Sequence, residues 1–110
     1  MPDLNLNKFN VYLIFCLISP NYALAFEPPK DKQLELRNML KHDCGSCHGL
    51  TLKGGLGPSL LAKDLVNKSD EYLLSTIQNG RPDTAMPPWK PFISEPETRW
   101  LIRTLLRQHD

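Results

Sequence analysis

A chain of 110 residues with 13 basic and 12 acidic side chains makes one small domain of almost no net charge, and ten prolines with six glycines leave little room for long regular elements. It has no long basic run and no aromatics interleaved with arginines, which argues against a nucleic-acid partner. Three cysteines are too few for a disulfide scaffold, so their spacing carries the information.

The first segment reads as an export signal. Lys8 makes a weakly basic start, the run from Phe9 to Ile18 is almost wholly apolar, Pro20 breaks any helix, and Ala23 and Ala25 occupy the small-residue positions of a cleavage site. The expected cut follows Ala25, so residues 1–25 are a removed signal peptide and residues 26–110 form the domain. The apolar run is well short of the ~20 residues that span a bilayer, so no stable membrane insertion is expected after processing. Removal takes 25 of the 110 residues and leaves 85, with 12 basic and 11 acidic side chains. It also discards Cys16, so the mature domain holds Cys44 and Cys47 alone. A domain this small commonly leans on a disulfide, a metal or a cofactor.

"FEPPKDK" reads as an extended, mobile leader. Leu34, Leu36, Met39 and Leu40 then fall at helical spacings and predict a short amphipathic helix that runs into Cys44, with Asp31 as its N-cap. Gly49 to Pro58 holds four glycines and a proline, which forbid a helix and predict a tight irregular loop. "SDEYLLSTIQNG" predicts a second helix, opened by Ser69 and two acids, with Leu73, Leu74 and Ile77 on one face and a stop at Asn79-Gly80. "RPDTAMPPWKPF" is stiff, extended and irregular. "SEPETRWLIRTLLRQ" predicts the third and longest helix, with a Ser94/Glu97 capping box and Leu101, Ile102, Leu105 and Leu106 on its apolar face. No alternating apolar and polar run is present, so the fold class is all-α: three main helices with long loops.

Three chemistries use cysteines spaced as in "DCGSCHG". A thioredoxin-type couple sits where a strand feeds a helix, and no strand is expected before Cys44. A structural zinc needs four ligands in a tetrahedron; Cys47 and His48 are chain neighbours and hard to bring onto one ion, and His109 is next to the chain end. Cys-x-x-Cys-His is the pattern by which two thiols add across the vinyl groups of a haem and the histidine ligates the iron. That chemistry uses Cys44, Cys47 and His48 together, and makes haem c the expected cofactor. A sixth ligand is then wanted. Met1 goes with the leader and Met39 lies on the first helix as a packing residue, which leaves Met86, held among prolines; the alternative is that Met86 fills a gap in the core. His42 lies on the stretch that delivers His48 and cannot easily reach the other haem face.

With these residues in place the chain resembles a class I cytochrome c: helix, Cys44-Gly45-Ser46-Cys47-His48, a glycine-rich loop with Gly57-Pro58, a middle helix, a Met86 loop and a C-terminal helix. More narrowly, "DCGSCHGLTLKGGLGPSL" and "NGRPDTAMPPW" are similar to the small NirC or cytochrome c-55X type encoded with cytochrome cd1 nitrite reductase in denitrifying bacteria. The resemblance implies His48 and Met86 as iron ligands, and a Pro58 carbonyl that accepts a hydrogen bond from the proximal imidazole. It also implies Arg81 and Trp89 near the haem propionates. It implies a periplasmic electron carrier and not an enzyme, loaded by haem attachment machinery, with cytochrome cd1 nitrite reductase as its redox partner. The alternatives are a factor in d1 haem maturation of that reductase, and a five-coordinate haem sensor or enzyme. Arg99, Arg103 and Arg107 form a four-residue-spaced stripe, which reads as a solvated helix face before it reads as a partner surface.

Overall fold

The computed structural model describes residues 24–108; the expected signal segment up to Ala23, with Cys16, and the terminal His109 lie outside the described residues. In chain order the elements are α1 (Lys30–Met39), a π-helical turn (Leu40–Cys44), α2 (Gly45–His48), α3 (Ala62–Leu65), α4 (Asp70–Asn79) and α5 (Glu95–Leu106). Among the described residues there is no strand, and the fold is all-α as expected. The three long helices match the three predicted ones, while the π turn and α3 are additions. A single turn such as α3 buries one residue, Leu65, and so leaves no periodicity to read.

The helix ends follow local chemistry. Ser69 caps α4 by accepting from the Tyr72 N–H at 3.1 Å, with Asp70 and Glu71 in the first turn against the positive end of the helix dipole. α5 opens with the full capping box: Ser94 Oγ accepts from Glu97 N–H, and the Glu97 carboxylate accepts from Ser94 N–H at 3.1 Å. α1 differs from expectation, because the helix begins at Lys30 and Asp31 sits in its first turn instead of capping it. Pro29 precedes the helix in an extended conformation and its carbonyl accepts the Gln33 N–H, so the cap position falls two residues earlier.

α5 is the hub, packed by α1, α3 and α4. Its face of Trp100, Leu101, Ile102 and Leu105 meets Leu36 and Leu40 from α1 and the π turn, Leu65 from α3, and Leu73 and Leu74 from α4. Leu36 is fully buried. A polar knot ties α4 to α5: the Gln78 amide donates to Thr98 Oγ1 at 2.6 Å and to the Ile93 carbonyl at 3.2 Å, and the completely buried Thr98 hydroxyl donates on to the Ser94 carbonyl. The Gln78 amide N–H groups and the Thr98 hydroxyl thus have partners, which removes the penalty of burying them.

The proline leader is extended but tied down, against the mobility expected of it. The Trp100 indole N–H donates to Glu27 at 3.0 Å, Arg103 donates to the Phe26 carbonyl at 2.6 Å, Gln33 donates to the Pro28 carbonyl, and Pro28 itself is buried. The Trp100–Glu27 and Arg103–Phe26 contacts span more than seventy residues of sequence, so no local pattern announces them. Two arginines of the stripe are likewise structural: Arg99 bridges Glu71 of α4 and Glu95 of its own helix, and Arg103 holds the leader, while Arg107 is exposed.

Leu36→Ala opens a cavity at the α1–α5 crossing and is expected to cost about 2–5 kcal/mol, read as a lowered denaturation midpoint of the holoprotein.

Candidate functional site

The π turn sets up the site. An ideal α-helix drifts by about 40° over every four residues, so Leu36, Leu40 and Cys44 would wind away from the core. The wider i→i+5 turn, closed by Gly45 N–H to the Leu40 carbonyl, counters that drift and keeps Cys44 packed against the core. α2 then supplies a last turn in which Cys47 and His48 follow.

A helix end leaves carbonyls without partners, and the glycine loop answers them. Gly57 N–H donates to the Cys47 carbonyl at 2.8 Å, and Gly54 N–H donates to the His48 carbonyl at 2.8 Å. Leu52, at φ +60°, adopts a left-handed conformation unusual for its type, a strain offset by burial of its side chain in the core. Folded back in this way, the loop lays Gly57 and Pro58 against the His48 ring. His48 Nδ1 stands 2.6 Å from the Pro58 carbonyl, which makes Nδ1 the protonated nitrogen and leaves the Nε2 lone pair free to ligate. A Cβ on Gly57 would lie 2.7 Å from His48 Cε1 and 2.8 Å from Nδ1, so the missing side chain is the space the imidazole occupies.

All seven residues singled out from the sequence, Cys44, Cys47, His48, Pro58, Arg81, Met86 and Trp89, line one cleft of about 670 Å³. Helices α1, α4 and α5 contribute apolar walls through Met39, Leu73, Ile77, Leu101 and Leu105. Trp89 is half-buried, with its ring edge-on to Phe92 at 5.8 Å, and Arg81 is exposed at the rim. Met39 both packs on the core and faces the cleft. Residues that sequence reasoning passed over also reach it: Leu56, 92 % exposed, Lys68 and Tyr72 with the ammonium 5.3 Å from the ring, and Thr84. Only Leu56, an apolar side chain inside a glycine loop, carried a signal of its position.

Cys44 and Cys47 are free thiols, not joined to each other. Burial first, and the Asp43 carboxylate second, push the unattached Cys44 thiol up to about 11, so it is neutral and unreactive at physiological pH. No three His, Cys, Asp or Glu side chains among the described residues are grouped to hold a metal ion by themselves. The donor set instead fits a haem: two thiols one helical turn apart, an imidazole with one nitrogen already committed, a thioether, and an apolar cleft of the size that encloses a flat macrocycle.

The fold and this donor set define a small class I cytochrome c. Residues 32–103 match the family model described as cytochrome C oxidase, cbb3-type, subunit III. The chain is 48% identical over 88 residues to cytochrome c55X of Pseudomonas aeruginosa, an alignment covering 79% of this chain and 74% of that protein. It is 44% identical to cytochrome c55X of Paracoccus denitrificans, covering 77% and 82%. The solved structure of a c-type cytochrome NirC superposes with a TM-score of 0.70 at 47% identity, covering 72% of this chain and 93% of that one. The chain belongs to the cytochrome c55X/NirC family of class I cytochromes c, and its cofactor is haem c, attached through Cys44 and Cys47.

Gly57→Ala is expected to push the imidazole off the Pro58 carbonyl, seen in the holoprotein as faster exchange of the His48 Nδ1 proton. Gly45→Ala, whose Cβ would meet nothing nearer than 3.6 Å, should leave that proton unchanged and add about 0.5–1 kcal/mol of stability.

Proposed function

We propose that residues 26–110 act in the periplasm, after removal of residues 1–25, as a carrier of single electrons to cytochrome cd1 nitrite reductase. The observation that carries this reading is the convergence of His48 and Met86 on the cleft that also holds both attachment thiols. Haem c, when bound, supplies a one-electron iron couple. The chain's own residues decide how that couple behaves. His48, oriented by Pro58, gives a nitrogen donor that cannot rotate away; Met86 gives a neutral sulfur donor, which favours the reduced iron and a potential on the high side. Were His48 and Met86 both to hold the iron, no substrate would reach it, and the protein would exchange electrons without making or breaking bonds. Arg81 and Trp89, at the cleft, suit the propionates: a guanidinium for charge, and an indole N–H for a hydrogen bond.

Support for the partner comes from kinship with cytochrome c55X and NirC proteins, and support for export comes from the leader's composition and from the cofactor. Among the described residues no helix is long and apolar enough to cross a membrane. The exposed Leu56 at the cleft gives a small apolar contact of the kind brief redox encounters use.

The oxidised protein is expected to show a low-spin spectrum with the weak long-wavelength sulfur-to-iron band. Met86→Ala should abolish that band, lower the potential and admit carbon monoxide to the reduced form. A wild-type protein that already binds carbon monoxide rapidly would instead be a five-coordinate sensor or enzyme. Deleting the gene should leave the nitrite reductase fully loaded with d1 haem but slow; a reductase lacking d1 haem would identify a maturation factor.

A further inference from the structure

The segment that presents Met86 is closed by a hydroxyl. α4 stops at Gly80, whose φ of +68° suits glycine, and a Cβ there would lie 2.7 Å from the Met86 carbonyl and 2.8 Å from Pro87 and Pro88 backbone atoms. The chain therefore folds straight back over the helix end, and Arg81 N–H donates to the Met86 carbonyl at 3.2 Å. Inside this six-residue loop, Thr84 N–H donates to the Arg81 carbonyl at 3.2 Å. Thr84 Oγ1 also donates to the Arg81 carbonyl, at 2.7 Å, and accepts from the Met86 N–H at 3.3 Å. One hydroxyl thus joins the start of the loop to its end, using both its donor and its acceptor.

The two flanks of Met86 are held differently. Downstream, Pro87 and Pro88 fix their own backbone, and Trp89 N–H to the Ile77 carbonyl at 3.0 Å and Lys90 N–H to the Gln78 carbonyl at 3.2 Å dock the exit of the loop on the end of α4. Upstream, Asp83 turns through φ +61°, a left-handed conformation that aspartate tolerates but does not enforce. Among the described residues, no side chain other than Thr84 hydrogen-bonds to the backbone of Met86. Thr84 is exposed, so water can replace its bonds at little cost to the fold, whereas Met86 is half-buried at the cleft.

We propose that Thr84 is the positioning residue for the Met86 thioether: its hydroxyl ties the Met86 amide to Arg81 and so sets how firmly the sulfur is held at the cleft. This rests on the reading of Met86 as an iron ligand. The role is a different one from packing or stability, because a weak thioether bond is lost when its backbone can drift, even in a chain that stays folded.

The test uses oxidised holoprotein titrated with imidazole, which competes with the thioether for the sixth position. Thr84→Val removes the hydroxyl and keeps the shape; it should raise imidazole affinity by about fivefold, the loss of one net hydrogen bond, and speed exchange of the Met86 amide proton, at an unchanged far-ultraviolet spectrum. Thr84→Ser should restore both values. If Thr84→Val binds imidazole like the wild type while Met86→Ala binds it far more tightly, the positioning role is overturned and the ligand reading survives. If Met86→Ala itself binds imidazole like the wild type, Met86 is not the ligand and both fall. Should Thr84→Val not mature, the wild-type holoprotein still decides: a protected Met86 amide supports the tie, and a freely exchanging one overturns it.

Discussion

The 2.6 Å hydrogen bond from His48 Nδ1 to the Pro58 carbonyl is the constraint on which the rest of the molecule depends. A free imidazole can rotate and exchange its proton between two nitrogens; this one can do neither, so a single lone pair is offered in a single direction. The bond exists only because the glycine loop folds back on α2. That in turn requires Gly57 to carry no side chain and the Cys47 and His48 carbonyls to be the acceptors that draw the loop in. Backbone hydrogen bonding at a helix end thereby becomes control of the orientation of an imidazole.

The Met86 segment is held by stiffness. Proline on one side of Met86 and a short hydrogen-bonded loop on the other leave few conformations to the backbone that presents the thioether to the cleft. The anchor for that segment is the knot of Gln78, Thr98 and Ile93, which locks α4 to α5 beneath it. α5 is thus more than a lid on the core: it fixes the point from which the methionine loop departs, and through Trp100 and Arg103 it also pins the leader that precedes α1.

Two of the three arginines of the α5 stripe are taken up inside the molecule: Arg99 is held between Glu71 and Glu95, and Arg103 donates to the Phe26 carbonyl, which leaves Arg107 exposed at the helix end. Such exposed pairs add little stability, but they remove free positive charge from that face. Near the cleft stand an apolar prominence at Leu56, the Arg81 guanidinium and the Lys68 ammonium.

The three long helices, the glycine stop of α4, the capping box of α5 and the attachment motif were all legible in the amino-acid sequence, because each is written within a few residues of itself: a period, a cap, a glycine, a spacing. The cysteine pair Cys44 and Cys47 with the histidine after it was equally legible as a motif, and Met86 stood out as a methionine held among prolines; all four line the same cleft. The π turn, α3, the anchored leader, the left-handed Leu52 and the Thr84 tie were not. The leader is decided by partners distant in sequence, the π turn and α3 are too short to show a period, and the Leu52 and Thr84 geometries belong to irregular loops that no period or cap announces. Local chemistry therefore determined which groups could bind the cofactor, while only tertiary packing decided how rigidly each would be held.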